Sequence, residues 1–250
     1  MAEAAPDPRQ RLSPAAALEL LTAGEMKVQG LLPRSSNYTF LVIIRRDETK
    51  VPAVYKPSRG ERPLWDFPAG TLALREVAAH VVSEALGWML VPPTVLRDGP
   101  HGPGMVQLYI HASPRENYFT LAEQFPEQFK RIALFDALIN NADRKAGHCL
   151  RDDEGHVWAI DHGVSFHEEP KLRTVIWQYA GSKVPAGLIR DLRDLSDRLK
   201  SDSDPATKAL RSLLTGREVD ALRRRTEQLI QDPRFPVPNP YERHMPWPPV

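Results

Sequence analysis

The sequence predicts an α+β fold in two parts, a small antiparallel β part followed by a mainly helical part. Patterns typical of strands fall between residues 25 and 110, whereas helical patterns dominate after Pro114. A run of strands followed by a run of helices is typical of α+β proteins. With 250 residues, of which 42% are hydrophobic, the chain can bury a full core in one domain or in a compact two-lobed one.

The small β part, residues 13–112, begins with a short helix. Ser13 is a suitable N-cap and Pro14 suits the first helical position, and the Ala- and Leu-rich run closes at Gly24. A second helix, between Gly70 and Gly87, carries an apolar stripe. Apolar runs separated by polar turns indicate strands. These strands are expected at Met26–Leu32, Tyr38–Ile44, Val51–Tyr55, Val91–Leu96 and Met105–Ile110.

The helical part, residues 113–231, contains a short hairpin that turns at Gly155 and returns as Val157–Ile160. The tail, residues 232–250, holds seven of the 24 prolines and is expected to be extended. It either wraps the helical part with its aromatic side chains or is a free proline-rich ligand. Helices are expected at Leu121–Phe125, Pro126–Asn141, Thr174–Ala180, Ala186–Leu199, Ala206–Leu214 and Arg217–Gln231.

Composition and charge narrow the classes of function. The formal net charge is +1, so no long-range field would draw the chain to nucleic acid or to an anionic membrane. The single cysteine, Cys149, excludes an intrachain disulfide and favours a reducing, cytoplasmic setting. Residues 1–12 are polar and contain prolines, so we expect a disordered lead-in, with neither a signal peptide nor a transmembrane segment in the chain.

Two acidic residues stand at the ends of elements around the hairpin. The helical pattern breaks at Asn140 and leaves Asp143 in a loop, whereas the strand Val157–Ile160 runs directly into Asp161. A polar turn and a strand-end acid would explain either residue alone. Metal-assisted phosphoryl transfer needs such a pair, because one carboxylate orients the attacking hydroxyl and a second holds the metal on the phosphates. The spacing of the two acids therefore favours phosphoryl transfer.

The residues around these acids follow the order found in protein kinases. A basic residue, Lys145, follows Asp143, and the fifth position, where a metal ligand is expected, is His148. Asp161-His162-Gly163 takes the place of the metal-binding Asp-Phe-Gly.

The motifs Asn141-Ala142-Asp143-Arg144 and Trp158-Ala159-Ile160-Asp161-His162-Gly163-Val164-Ser165-Phe166 resemble the catalytic and metal-binding loops of the phosphatidylinositol 3- and 4-kinase superfamily. The type II phosphatidylinositol 4-kinases and the HipA-like protein kinases are the most similar branches. The chain also resembles a group of small actinobacterial phosphatidylinositol-kinase-like proteins. The resemblance implies a two-lobed, protein-kinase-like fold that binds ATP and a divalent metal between its lobes.

The resemblance assigns residues of the small lobe to the nucleotide. Lys56, which ends the third strand, would reach the α and β phosphates, and Glu76 on the following helix would hold it in place. A solvent-facing position is the alternative for Glu76. Ser35, Ser36 and Asn37, in the loop between the first two strands, would lie over the phosphates, unless this is an ordinary polar hairpin. Gln107, Leu108 and Tyr109 would lie near the adenine, which backbone groups would bind.

The large lobe would supply the chemistry. By the resemblance, Asp143 orients and deprotonates an acceptor hydroxyl, Asp161 carries the metal, and Lys145 or Arg144 joins Lys56 in stabilising the phosphate charge. Two further residues would shape the catalytic loop. Asp136 would brace it from inside the preceding helix, with a solvent-facing position as the alternative, and Asn141 would hold it as an Asx turn does.

His148 departs from the family pattern, which has Asn at this position. A neutral imidazole is a poor ligand for Mg²⁺ and suits Mn²⁺ or Zn²⁺ better. The site is therefore expected to hold one Mg²⁺ rather than two, to prefer Mn²⁺, or to be weakly active. Other histidines are near in sequence but lack a zinc signature, so a structural zinc site is a minor alternative.

The acceptor is a protein or a lipid that the sequence does not identify. A lipid kinase should present a basic or amphipathic surface, and Arg223–Arg225 is the one basic cluster that stands out. Transfer to a protein Ser or Thr hydroxyl is therefore slightly favoured over transfer to a phosphoinositide. A nucleotide-binding pseudokinase that acts as a scaffold and an AMP transferase are the alternatives.

Overall fold

A computed structural model describes residues 12–33 and 37–250. The chain divides into two compact units. The first contains the described residues of Met1–Val77 together with Pro92–His111, and the second contains Ala78–Val91 and Ala112–Val250. The predicted disordered lead-in lies outside the described residues except for Leu12. Strands dominate the first unit and helices the second, so the predicted α+β fold class is confirmed.

The first unit is built on one antiparallel sheet of five strands in the order β1-β2-β3-β5-β4. Its helix α1 (Pro14–Ala23) begins at Ser13, whose side chain accepts a hydrogen bond from the Ala16 amide as an N-cap. A small core of α1 and sheet residues holds this unit together, with Leu21, Val42 and Ile44 fully buried. The strands are β1 (Glu25–Leu31), β2 (Phe40–Arg46), β3 (Thr49–Pro57), β4 (Thr94–Gly99) and β5 (Gly102–Leu108).

The alternation of β3 determines where Lys56 lies. Val51, Ala53 and Tyr55 are buried in the core of the first unit. Because successive side chains of a strand point to opposite faces, Lys56 lies on the other face of the sheet. Its backbone pairs with Met105 of β5, so the lysine is held in the interior of the sheet and not at an edge strand.

The second unit packs its helices around a large apolar core in which Phe129, Phe135 and Leu192 are fully buried. A two-stranded hairpin, β6 (Cys149–Arg151) and β7 (Val157–Ala159), lies in the same unit. The helices are α3 (Tyr118–Leu121), α4 (Pro126–Ile139), α5 (Ala186–Lys200), α6 (Pro205–Leu213) and α7 (Gly216–Gln231). Across residues 12–33 and 37–250, no helix is both long enough and apolar enough to cross a membrane.

The helix α2 (Leu72–Ala85) is shared between the units at Val77 and Ala78. The predicted boundary near residue 112 had placed the whole helix and residues up to Val91 in the small lobe. The structure assigns Ala78–Val91 to the helical unit instead, because Val82, Leu86 and Val91 belong to the large core.

One predicted helix is absent. Within residues 174–180, Thr174 forms an isolated β-bridge with Arg144 and a turn follows at 178–180, because the first amides of the segment bond to other parts of the chain. The Thr174 amide donates to the carbonyl of His244, and the Val175 amide donates to the carbonyl of Arg144, each over 3.1 Å. The short helix predicted at Leu121–Phe125 lies earlier in the chain, because Asn117 and Thr120 form a capping box that starts α3 at Tyr118 and the helix ends at Leu121.

The proline-rich tail lies against the second unit. Phe235 is 3% exposed, and the Gly181 amide donates to its carbonyl over 3.0 Å. Further along, Pro246 is buried, whereas Trp247 is 79% exposed. The tail therefore packs against this unit through Phe235 and Pro246, but its other aromatic side chains, Tyr241 and Trp247, are exposed, so the predicted packing by aromatic side chains holds for Phe235 alone.

Candidate active site

The catalytic loop starts where α4 ends. Asn140 ends the helix in the left-handed conformation, with φ of 55°, which turns the chain sharply. Its side-chain amide donates to the carbonyls of His167 and Glu169 over 2.9 and 2.6 Å, so the loop and the segment after Phe166 are tied together. The next residue, Asn141, accepts a hydrogen bond from the Asp143 amide over 3.0 Å. This is the Asx turn that the sequence predicts at Asn141.

A buried ion pair fixes this loop to the helix before it. Arg144 and Asp136 have fully buried side chains, and Arg144 Nε lies 2.9 Å from Asp136 Oδ2. Arg144 Nη2 donates to the other carboxylate oxygen over 3.0 Å, and Asn141 Nδ2 donates to that same oxygen over 2.9 Å. Asp136 therefore braces the loop, and the solvent-facing alternative is wrong.

Arg144 also joins the two loops that carry the candidate acids. Its Nη1 donates to the carbonyl of His148 over 3.2 Å and to the carbonyl of Ile160, which precedes Asp161, over 2.8 Å. Nη2 lies 2.6 Å from His162 Nε2, which must accept because a guanidinium only donates. With Nε on Asp136, all five N–H donors of Arg144 have partners inside the protein.

The position of Arg144 contradicts its expected direct role on the phosphates. The side chain is fully buried and its donors are already used, so it has no donor for a phosphate oxygen. Lys56 and Lys145 remain the candidates for stabilising the phosphate charge. Arg144 is a positioning residue that acts through the loops carrying Asp143 and Asp161.

Asp143 lies in a setting that disfavours its charge. Burial raises the pKa of this carboxyl, the positive charge of Lys145 lowers it, and the negative charge of Asp161 raises it again, with a net upward shift. Lys145 Nζ is 3.4 Å from Asp143 Oδ2, and both side chains are partly exposed, by 22% and 32%. An aspartate with a raised pKa beside a lysine fits a group that exchanges a proton with an acceptor hydroxyl.

Asp161 and His148 come together as the sequence predicts. Asp161 Oδ2 lies 3.3 Å from His148 Nε2, and the aspartate side chain is 44% exposed whereas the histidine is 15% exposed. Asp161 has φ of 62°, an uncommon conformation for a residue other than glycine, which is often found at functional sites.

These two side chains fit a metal that a nucleotide helps to hold. In the part of the chain that the structure describes, no group of three or more His, Cys, Asp and Glu side chains could hold a metal by itself. Mg²⁺ in kinases is bound by one or two carboxylates, and phosphate oxygens and water supply the other ligands. One carboxylate with one imidazole beside it is consistent with that arrangement, with the imidazole favouring Mn²⁺.

The first unit carries the predicted lysine and glutamate pair. Lys56 Nζ lies 2.7 Å from Glu76 Oε1, and the two side chains are 21% and 3% exposed. Glu76 belongs to the first turns of α2, whose start is capped by Glu61: its carboxylate accepts from the Leu72 and Ala73 amides over 3.2 and 3.0 Å. The solvent-facing alternative for Glu76 is therefore wrong. Its carboxylate holds the Lys56 ammonium group in place.

The segment expected near the adenine, Gln107–Tyr109, uses several of its donors within the protein. Gln107 is buried and its Nε2 donates to Thr94 Oγ1 over 2.9 Å, so its side chain serves the sheet. The amides of Leu108 and Tyr109 donate to the carbonyls of Pro93 and Pro52. These two amides are therefore engaged within the protein and are not available to a base.

The loop expected over the phosphates is only partly described. Ser35 and Ser36 lie outside the described residues. Asn37 Oδ1 accepts a hydrogen bond from the Arg62 amide over 2.9 Å, which anchors the end of the loop. The Asn37 side chain therefore has a structural role in this unit.

Sequence reasoning missed three contributors to the site. His162 was expected only as the middle residue of the motif that replaces Asp-Phe-Gly, with no role of its own, yet its ring contacts Arg144. Glu61 caps α2, and its distance in sequence from the helix gave no capping signal. Pro249 accepts a hydrogen bond from the Ala146 amide in the catalytic loop over 2.8 Å, and no local pattern could indicate a contact across about a hundred residues.

The single cysteine is a packing residue behind this loop. Cys149 is fully buried, and burial raises the pKa of its thiol to about 12. A thiol in that state is neutral and unreactive, so it has no part in the chemistry.

The fold and the two groups of side chains together define a kinase-like domain, and the comparisons specify the family. The family model described as "Phosphatidylinositol 3- and 4-kinase" matches residues 96–224. The chain belongs to this phosphatidylinositol 3- and 4-kinase family.

Curated relatives and a solved structure are also similar to this chain. "Protein Rv2133c" of Mycobacterium tuberculosis (strain ATCC 25618 / H37Rv) is 39% identical over 92% of the chain and 94% of its own length. "Phosphatidylinositol 4-kinase gamma 4" of Oryza sativa subsp. japonica is 31% identical, but the match covers 44% of this chain and 23% of the rice protein. Among solved structures, the Helicobacter pylori proinflammatory kinase CtkA matches 84% of this chain and 97% of its own, with a TM-score of 0.44 and 11% identity.

Proposed function

We propose that this protein is an ATP-dependent phosphotransferase that moves the γ-phosphate of ATP to a hydroxyl group. The observation that carries the proposal is the buried Arg144 guanidinium, which bonds at once to Asp136 and to the carbonyls of His148 and Ile160. The Arg144 guanidinium thus fixes the loop that carries Asp143 relative to the loop that carries Asp161. Phosphoryl transfer depends on this positioning, because little covalent chemistry is left for the protein to perform.

In this mechanism Asp143 binds the acceptor hydroxyl and takes its proton as the oxygen attacks the γ-phosphorus. The bond between the γ-phosphorus and the bridging oxygen breaks in the same transfer, and ADP leaves with that oxygen. The raised pKa of its carboxyl makes it a better proton acceptor than an ordinary aspartate. Lys145, 3.4 Å from Asp143, is placed to stabilise negative charge on the transferring group.

Asp161 and His148 would hold a divalent metal, Mg²⁺ or Mn²⁺, which when bound neutralises charge on the phosphates. The imidazole 3.3 Å from the carboxylate supports a preference for Mn²⁺. Lys56, directed by Glu76, would bind the α and β phosphates as a point charge.

A protein Ser or Thr hydroxyl is the acceptor that we favour over a phosphoinositide. Two of the three arginines in the basic cluster Arg223–Arg225 are engaged within the protein. Arg223 Nε donates to the Leu199 carbonyl and Arg225 Nε donates to the Leu138 carbonyl, each over 2.8 Å. These arginines hold helices together, which supports a structural role over a role as a lipid headgroup site.

The test is transfer of label from γ-labelled ATP by the intact protein, first with Mg²⁺ and then with Mn²⁺, to a cell lysate and to phosphoinositide vesicles. Asp143→Ala and Asp161→Ala are expected to lose at least about a hundredfold in rate, as the removal of a positioned proton acceptor or metal ligand does. Asp153→Ala is the matched control, because Asp153 is an exposed acid in the turn of the β6-β7 hairpin.

The outcomes distinguish the classes of function. Label on protein supports the proposal, and label on lipid reassigns the acceptor. Incorporation from α-labelled ATP but not from γ-labelled ATP would identify an AMP transferase. Stabilisation by ATP with no transfer under either metal would contradict catalysis and favour the pseudokinase scaffold.

A further inference from the structure

The end of the proline-rich tail lies along the catalytic loop. The Ala146 amide, one residue after Lys145 and two before His148, donates a hydrogen bond of 2.8 Å to the carbonyl of Pro249. Ala146 is fully buried, and Pro246 of the tail is buried as well. The tail therefore makes an internal contact with the loop that carries the candidate proton acceptor.

A second contact anchors the same part of the tail. The carbonyl of His244 accepts two hydrogen bonds, from the Thr174 amide and from Trp177 Nε1, each over 3.1 Å. The rings of Trp177 and His244 also pack edge to face, with 6.1 Å between centroids.

The segment that receives the tail is bonded to the catalytic loop itself. The Arg144 amide donates to the Arg173 carbonyl over 3.0 Å, and the Val175 amide donates to the Arg144 carbonyl over 3.1 Å. The catalytic loop is thus held by residues 173–175 through Arg144 and by the tail through Ala146. The tail in turn is fixed on residues 174–177, so the three segments form one connected backbone network.

The Ala146 contact matters because a buried amide without an acceptor is costly. Losing the partner of a buried donor destabilises the arrangement that buries it, so the loop would open or shift to find water. His148 and Lys145 are the neighbours that would move with the Ala146 backbone.

We propose that residues 244–250 are a positioning element of the active site, which holds the catalytic loop in its working conformation through the Ala146 amide. In this role the tail touches neither nucleotide nor acceptor, and it acts through Lys145 and His148. Its effect on catalysis rests on the proposed phosphotransferase function, whereas its effect on the loop does not.

The experiment compares the intact protein with a variant that lacks residues 244–250. Amide hydrogen exchange, resolved to the peptide that contains Ala146, is expected to accelerate by about tenfold or more in the shortened protein, the change that corresponds to the loss of a buried hydrogen bond. The kcat for phosphate transfer is expected to fall by a similar factor while the KM for ATP changes less than twofold, because Lys56 and Glu76 are untouched.

Two point variants keep the test valid if the shortened protein folds poorly. Trp177→Phe removes the donor to His244 and keeps an aromatic ring, and it is expected to accelerate exchange at Ala146 by about two- to tenfold. Trp247→Ala is the matched control, since this tail residue is 79% exposed and should leave exchange unchanged.

Unchanged exchange at Ala146 in both the shortened protein and Trp177→Phe would overturn the proposal. A higher kcat in the shortened protein would also overturn it, because it would show an inhibitory tail. Faster exchange in a protein that never transfers phosphate would support the positioning role and refute only the phosphotransferase function.

Discussion

Asp143 is an acid in a setting that opposes its ionisation. Burial is the main reason that its pKa is raised, and Asp161 adds to the effect while Lys145 opposes it. A residue placed for function at the expense of stability is common in active sites, where the remainder of the fold compensates for the strain.

Asp143→Asn is expected to stabilise the protein at neutral pH. The folded state binds the Asp143 proton more tightly than the unfolded state, so the ionised carboxylate lowers the free energy of unfolding at pH 7. This penalty shrinks as the pH falls through the folded-state pKa and disappears below the ordinary aspartate pKa of about 3.9. Urea unfolding at a series of pH values should therefore show an advantage for Asp143→Asn that is lost in acid.

The exposed acid Asp153 provides the comparison for that series. Asp153→Asn should leave the free energy of unfolding within about 0.5 kcal/mol of the intact protein, as most surface substitutions do. A lower stability of Asp143→Asn at pH 7 would refute the sign of the effect. It would mean that attraction to Lys145 outweighs burial.

At this scale the sequence indicated which residues matter better than what they do. The spacing of Asp143, His148 and Asp161 was sufficient to expect them in one site, because motif order reflects chemistry. The role of Arg144 was not predictable, since burial depends on Asp136 and on carbonyls that only the folded chain brings together. A charged residue beside a catalytic acid looks the same in sequence whether it faces the substrate or the core.

Among the elements, α4 has the strongest influence on the site through the way it ends. Asn140 takes the left-handed conformation and its side chain bonds to the segment 167–171, including acceptance from the Lys171 amide over 2.8 Å. One residue thus ends the helix, begins the catalytic loop and fixes the segment that follows Phe166. Backbone and side chain contribute separately, and substitution can tell them apart.

Asn140→Ala is expected to destabilise the protein more than Asn140→Gly does. Both lose the side-chain hydrogen bonds, but glycine adopts φ of 55° freely whereas alanine is strained there by about 1 kcal/mol. Chemical denaturation of the two variants measures this difference directly. Equal stabilities of the two variants would show that the left-handed backbone conformation contributes nothing. The loss of stability that both variants share, relative to the intact protein, measures the contribution of the side-chain hydrogen bonds.

Elements with a strong local pattern were predicted within a few residues, including the strands of the sheet and α4, α5, α6 and α7. The helix expected at residues 174–180 failed because its amides are claimed by His244 and Arg144, which are distant in sequence. Local helix propensity predicts a helix poorly where distant segments can satisfy the same backbone amides.

For the whole molecule, each unit has its own apolar core and its own group of candidate functional residues. The pair of Lys56 and Glu76 belongs to the first unit, and Asp143, His148 and Asp161 belong to the second. Nucleotide binding and phosphate transfer should therefore respond to different substitutions.

ATP with Mg²⁺ or Mn²⁺ is expected to raise the melting temperature of Asp143→Ala as much as that of the intact protein. At a hundredfold excess over Kd, binding should add about 2.7 kcal/mol to the free energy of unfolding. Lys56→Met should lose most of this gain, because the phosphates lose their point charge. Arg46→Met is the control, since Arg46 forms a surface pair with Glu19 and both side chains are largely exposed. Full stabilisation of Lys56→Met by ATP would rule out its proposed role.

The buried state of Cys149 has a practical consequence for spectroscopy. Because the only thiol of the chain is buried and protonated, it should not react with maleimide or methanethiosulfonate reagents under native conditions. A single new cysteine at an open position, such as Trp247→Cys in the tail, would then carry a spin label or a fluorophore with no background from the native residue. The chain can thus be labelled at a chosen site without removing the native cysteine, and a second introduced cysteine would allow distances between two labels to be measured.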